Sequence, residues 1–372
     1  MTDPVIIAAR RTPIATRGRA LAELRVEQLA SPVLRHALDD AQQVAGRALP
    51  VADIILGNCM GPGGNPARLA ALAAGFDVTV PGVTIDRQCG SGLAAIIDAV
   101  TAIRSGDTRV RLAGGVESPS TAPVRTDHGV PYDRAPFTPA GWPDPEMTRA
   151  ADDLARIDGI TRFRQDAYAV RSHSRARVAQ ASGRFNAELV PLAGLDHDDS
   201  LRVSPAVLER MPPLFTGGTL TAGTSTRISD GAAIVALAPA RTAPGLAVRA
   251  SSIVGCDPTL PGIGAAPAIL TALRDCNKNP ADVAAFEIVE AFAAQSVAVL
   301  DRIGVADDDS RVCADGGALA LGHPWGASGA VAVVRLFSRL IRGGAPAGTL
   351  GVAAASVGGG MGVAIVVEVL TG

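Results

Sequence analysis

Gly322-His323-Pro324, followed by Gly326-Ala327-Ser328-Gly329, reads as a strand entering a glycine-rich turn that opens a helix. Arg87-Gln88-Cys89-Gly90-Ser91-Gly92 reads the same way near the other end of the chain. Strand, tight turn and helix in that order, met twice, predict a layered α/β fold rather than an all-α or all-β one. One turn presents a thiol at a helix start, the other an imidazole. The unpaired N–H groups and positive dipole end of a helix favour thiolate over thiol. A neutral imidazole within reach takes up the thiol proton. That pair is the minimum equipment for covalent acyl transfer. A free cysteine is also a common small core residue, and a histidine is often a buried group satisfied by backbone. The arginine, glutamine and glycines around Cys89, and the Gly-Pro frame of His323, favour nucleophile and base.

Working outward, short apolar runs bounded by turn residues predict strands at Val5–Ala9, Ile54–Leu56, Val110–Ala113, Leu246–Ala250, Phe286–Val289, Leu350–Ala354 and Val363–Val367. Helical spacing lies between several of them, at Leu24–Leu38, Leu93–Ile103, Pro267–Leu273 and Val331–Ile341. The two ends also resemble each other. Gly92 to Gly106 and Gly329 to Gly343 each span a helix after a small-residue turn, and each helix leads to a strand ending in glycines, Gly114-Gly115 and Gly358-Gly359-Gly360. Pro50-Val51-Ala52-Asp53 is echoed by Pro280-Ala281-Asp282. A repeat of this kind predicts duplication, with Cys89 and His323 at matching helix entrances. Between the halves, prolines and charges rise, and Arg162–Ser182 reads as an exposed amphipathic helix. An insertion of that length suits a functional cap over a site.

Composition narrows the function classes. The 372 residues are 48% apolar and 19% charged, enough for a large buried interior in two lobes. A net charge of −2 leaves no basic footprint for nucleic acid. Lys278 is the only lysine, so the cationic side chains are nearly all arginine, a genome-composition habit, though arginine also suits phosphate-bearing ligands. The five cysteines are scattered with no C-x-x-C pair, a poor disulfide or zinc framework that fits a reducing cytoplasm. His128, His173 and His197 have no metal-ligand spacing and read as surface residues. The uncharged stretch from Gly343 to Val367 carries a glycine triplet and Pro346, so it reads as two buried strands rather than a membrane span.

Taken in order, these segments resemble the thiolases, which make or cleave 3-oxoacyl-CoA through an enzyme cysteine. The resemblance covers nearly the whole chain. Ile6 to Pro13 looks like the opening strand and turn, Arg87–Gly92 the nucleophile motif, and Gly114-Gly115-Val116-Glu117-Ser118 the strand behind it. Gln165-Asp166 to Ser172-His173 resembles the loop-domain helix. Thr219–Gly223 and Asp230–Ala233 look like the return to the core. Glu290–Gln295, Gly316–Pro324 and Gly358–Gly362 complete the set. The resemblance implies two duplicated halves in a five-layered α-β-α-β-α core with an inserted loop domain, and homodimers or homotetramers. Its boundaries fall at 1–118 for the N-terminal half, 119–218 for the CoA-binding loop domain, 219–245 for the return, and 246–372 for the C-terminal half.

Departures from the family pattern bear on chemistry. Ser356 stands where thiolases carry a second cysteine, the base at the α-carbon of the second substrate. A serine hydroxyl ionises several units above a thiol and is a poor unaided base. Val289 stands where the Asn-Glu-Ala-Phe motif has its asparagine, which holds an oxyanion water; the motif continues as Glu290, Ala291 and Phe292. Loss of one oxyanion donor costs about a hundredfold to a thousandfold in rate. Cys313 stands at another asparagine position, and Thr224 ends a segment that is usually Ala-Gly-Asn. The resemblance further assigns Met147 and Thr226, with Ala291 and Phe292, to the substrate, and Arg202 to the adenine end of CoA. Glu290 also reads as a buttress of the loop between two strands.

The reading is therefore a thiolase-type acyltransferase, acetyl-CoA C-acyltransferase being the nearest label. His323 deprotonates Cys89, the thiolate attacks a thioester, and backbone N–H groups of Cys89 and of the run near Gly358 hold the oxyanion. Coenzyme A is substrate or product, with no permanently bound cofactor, no metal, and neither nucleic acid nor membrane as partner. Two other readings stay open: acyl transfer or thioester hydrolysis without carbon–carbon chemistry, and a non-catalytic acyl-CoA-binding subunit.

Overall fold

The computed structural model describes residues 3–199, 205–208 and 210–371. The first half runs β1 (Pro4–Arg11), β2 (Ala15–Thr16), α1 (Val26–Ala45), β3 (Val51–Gly57), α2 (Pro66–Ala73), β4 (Gly82–Ile85), α3 (Ser91–Arg104) and β5 (Val110–Glu117). A middle segment holds β6 (Arg125–Asp127), β7 (Val130–Tyr132), α4 (Met147–Ile157), α5 (Arg162–Ala181) and α6 (Pro205–Leu208). Then follow β8 (Ser229–Pro239), β9 (Gly245–Gly255), α7 (Ala265–Asp275), β10 (Val283–Ile288), α8 (Ala293–Ile303), α9 (Ala318–Leu321), α10 (Trp325–Phe337), β11 (Leu350–Val357) and β12 (Met361–Leu370).

Strand order makes the duplication explicit. The sheet reads β10-β11-β12-β9-β1-β8-β5-β3-β4. β3 is parallel to β5, which is antiparallel to β8, which is antiparallel to β1. β10, β11, β12 and β9 repeat that pattern in that order, and the halves join where Val5 and Ile6 of β1 meet Ala247 and Leu246 of β9. α3 and α10 pack on each other and on strands of both halves, whereas α1 covers the first half from outside and α7 the second. The result is five layers, with α3 and α10 in the middle.

Strands between two helical layers are buried on both faces, which is why β8 reads Ser-Asp-Gly-Ala-Ala-Ile-Val-Ala-Leu-Ala-Pro with every residue buried. α1 instead has one covered stripe, Val26, Leu29, Ala30, Val33, Leu34, Ala37 and Ala41, at helical spacing. The two central helices approach at their glycines: a Cβ on Gly92 would stand 2.9 Å from Ala330 N, and one on Gly329 would stand 2.8 Å from Leu93 Cγ. Any side chain there would push the layer open.

Two expectations need correcting. His323 follows a helix, α9, not a strand; Ala-Leu-Ala-Leu is a run of strong helix formers too short for periodicity to decide. α5 is not an exposed helix, because Tyr168, Ala169, Ser172, His173, Ala176 and Ala179 are buried against α8 and α9. Among the described residues, no helix is long and apolar enough to cross a membrane.

Candidate active site

The turn between β4 and α3 carries Cys89. Gln88 takes a left-handed φ of 46°, unusual for a residue with a side chain, and its neighbours hold it there. Asp86 Oδ1 accepts the Gln88 N–H at 2.9 Å, and Ser91 Oγ accepts the Arg87 N–H at 2.7 Å while donating to the Gln88 carbonyl at 2.6 Å. The Cys59 thiol donates to that same carbonyl at 3.2 Å. Gly90 presses on Val357 and Val363, where a Cβ would come within 3 Å of both.

His323 reaches the same place from the second half. Its N–H donates to the Arg227 carbonyl at 2.9 Å, and its Nε2 lies 3.3 Å from Cys89 Sγ. Nδ1 lies 2.6 Å from Ser328 Oγ, which itself donates to the Pro324 carbonyl at 3.0 Å. With the hydroxyl proton committed to that carbonyl, Nδ1–H is the donor to Ser328 and the Nε2 lone pair faces the sulfur. Burial pushes the Cys89 thiol up to about 12, with the Glu117 and Asp86 carboxylates adding to the shift and N–H groups of Cys89 and Gly358 opposing it. Burial pushes His323 down to about 4. The resting pair is therefore neutral thiol and neutral imidazole. Desolvation outweighs the helix dipole, so the thiolate expected from the helix start is not the resting species.

Glu117, whose role sequence reading missed, ties the two units together. Its Oε1 accepts from Asn58 Nδ2 and Met60 N, both at 3.0 Å; its Oε2 accepts from Cys59 N at 3.1 Å and Gly326 N at 2.8 Å. Gly326 lies in the first turn of α10, two residues after Pro324. One buried carboxylate thus holds the start of the helix that follows His323 and, through Cys59, the turn that carries Cys89. An acid closing the apolar run of residues 112–116 was the signal for it. Ser91, Ser328 and Cys59 gave no signal beyond small size. Phe137, from the middle segment, packs on Gly358, where a Cβ would meet its ring at 2.6 Å.

The remaining sequence candidates divide. Ser356, in β11, donates to the Gly262 carbonyl at 2.6 Å and accepts the Ala265 N–H at 3.0 Å, so its hydroxyl binds the start of α7. Val289 is buried in the central core, its N–H donating to the Ala354 carbonyl at 2.9 Å. Glu290 ties the loop after β10 to two helices: it accepts from Tyr168 of α5 at 3.0 Å, from Ser172 at 2.7 Å and from Leu319 N of α9 at 3.3 Å. Thr226 joins the Ala291 carbonyl through its N–H at 3.0 Å and the Ala318 carbonyl through Oγ1 at 2.6 Å, so Thr226, Ala291 and Phe292 share one wall with α9. Met147, half-buried, opens α4. Arg202 lies outside the described residues. Cys313 is buried in the outer core with Sγ 3.5 Å from the Ile288 carbonyl, away from the pair. His173, read as a surface residue, is buried in α5; His128 and His197 are exposed.

The thiolase N-terminal domain family model matches residues 4–241, and the thiolase C-terminal domain model matches residues 243–369. VraB of Staphylococcus haemolyticus, provisionally named an acetyl-CoA C-acetyltransferase, is 38% identical over 99% of this chain and 99% of its own. YhfS of Bacillus subtilis, under the same provisional name, is 39% identical over 99% of this chain and 100% of its own. The crystal structure of the Bacillus anthracis acetyl-CoA acetyltransferase superposes with a TM-score of 0.91 at 35% identity, over 100% of this chain and 99% of that one.

Proposed function

The chain belongs to the thiolase family, and from that premise we propose that it transfers acyl groups from acyl-CoA through a thioester on Cys89. The observation that carries this reading is the 3.3 Å approach of His323 Nε2 to Cys89 Sγ. As the sulfur attacks the acyl carbonyl, the thiol proton passes to Nε2 and the oxyanion meets the N–H groups of Cys89 and Gly358. Collapse breaks the bond to the CoA sulfur, which recovers the proton from His323. The acyl-enzyme then waits for CoA or a carbanion. Acetyl-CoA C-acyltransferase is the activity we assign, with CoA entering and leaving as substrate and the middle segment, residues 119–218, as its holder. Cys89→Ala is expected to lose at least about a thousandfold in acyl exchange between acetyl-CoA and labelled CoA. A variant near wild-type rate refutes the assignment.

One observation favours a second reading, acyl transfer or hydrolysis without carbon–carbon bond formation. The Ser356 hydroxyl is bound to backbone on both sides, and the side chain of Val289 has no polar atom to hold an oxyanion water. Acyl exchange with neither condensation of acetyl-CoA nor thiolysis of acetoacetyl-CoA would select it.

We also assign a homodimer through β4, the end strand of the sheet. Val83 on that strand is exposed, as are Leu69, Leu72 and Val78 beside it, an apolar edge of the kind a second strand covers. The five cysteines are free thiols, which suits a reducing cytoplasm.

A further inference from the structure

Behind His323, on the side away from Cys89, lies a cavity of about 30 Å³ whose walls include Glu287, Gly317, Gly322, Ser328, Ala332 and Arg335. That volume holds about one water molecule; most of the wall is apolar, with Ile288, Val289, Leu321 and Val331 in it, so any hydration depends on the polar side chains of Glu287, Ser328 and Arg335. Arg335 is buried, with its two terminal nitrogens on Glu188 and Asp315 and its face on the Phe185 ring. Its Nε is the one guanidinium nitrogen left without a protein partner. Ser328 Oγ, which receives His323 Nδ1–H and donates to the Pro324 carbonyl, keeps one lone pair.

We infer that this cavity is a hydration site. One ordered water accepts from Arg335 Nε and donates to Ser328 Oγ, tying the base His323 to a buried ion cluster and making Arg335 a positioning residue. Glu287, in the same wall, is the acceptor for the second proton of that water. Arg335 Nε is otherwise without a partner, and a buried polar group left unpaired is costly, whereas Ser328 Oγ has a lone pair to spare. The consequence for chemistry is orientation. Ser328 fixes the tautomer of His323 only while its hydroxyl points at Pro324, and a donor on its free lone pair holds that rotor in place.

The inference rests on the reading of Cys89 and His323 as the reacting pair, and two measurements separate them. The first is a crystal structure of the wild-type protein at atomic resolution. The second is the rate of Cys89 alkylation by iodoacetamide across the neutral pH range, in wild type and in Ala332→Val, whose added methyl groups occupy the cavity. Density within hydrogen-bond distance of both Arg335 Nε and Ser328 Oγ is expected. Alkylation of folded Ala332→Val is expected to fall about three- to tenfold, the rate equivalent of one hydrogen bond. Val331→Ile, from the neighbouring wall residue, repeats the test should Ala332→Val not fold. No density at that position overturns the hydration site, and unchanged alkylation after displacement overturns the positioning role. A wild-type Cys89 that neither acetylates nor alkylates refutes the catalytic premise, leaving the water to be judged by the density alone.

Discussion

Cys89 and His323 illustrate how burial sets protonation at a reacting pair. Burial penalises the charged form of both groups, so each is held neutral, and in the proposed mechanism the proton moves only when a thioester supplies somewhere for the charge to go. His173 is a second buried imidazole, pushed down to about 4 by burial with Arg227 and Arg177 adding to it. Between pH 4 and the ordinary histidine value of 6.5, the unfolded chain holds a proton on this residue that the folded chain does not. Its contribution to stability is therefore complete above 6.5 and falls as pH drops toward 4. Against His173→Gln, wild type is expected to lose about 1.4 kcal/mol per pH unit across that window, measured by urea unfolding. A difference that stays flat with pH would contradict the burial argument.

At the scale of elements, Ser356 belongs to α7 as much as to its own strand. β11 alternates, with Ala353, Ala355 and Val357 in the central core and Val352 and Ala354 in the outer one. Ser356 shares the outer parity, toward α7, and its oxygen accepts the N–H of the first residue of that helix. Ser356→Ala is expected to cost about 1 kcal/mol in denaturant unfolding, as loss of a cap does, while acyl exchange stays within about twofold. A large fall in acyl exchange with unchanged stability would make the hydroxyl chemical instead. Much of the element pattern was legible because strands such as β11 and β12, buried over nearly their whole length, admit almost nothing polar, although β8, buried throughout, was not among the predicted strands. The positions that escaped were those where tertiary packing overrides a local signal. α9 is a four-residue apolar run that periodicity cannot assign, and α5 buries Tyr168 and His173 under a charged outer face. At the site, Cys89 and His323 announced themselves by their frames. Glu117 announced only its oddity, and Ser328 nothing, since a serine that turns a histidine looks like any small residue in a helix.

Across the molecule, a buried ion cluster fastens the middle segment to both halves. Arg11 of β1 pairs with Glu188 at 2.7 Å and with Asp198 at 2.7 Å, and Arg335 of α10 reaches Glu188 and Asp315. Such a cluster is costly to break because each survivor is left charged and dry. It is also the far end of the water path to His323, so the segment we assign to CoA and the base share one support. At the opposite end of the sheet, β4 leaves its edge open. Val83→Lys places a charge on that edge and is expected to shift the protein from dimer to monomer in light scattering. An unchanged dimer would move the interface elsewhere.

The most direct measurement is the intact mass of the purified protein after mixing with acetyl-CoA, with Cys89→Ala treated alongside. The account predicts a single acetyl adduct on the wild-type protein, mapped to Cys89 and absent from the variant. A folded wild-type protein that binds CoA and gains no adduct, or an adduct that persists in Cys89→Ala, would contradict it.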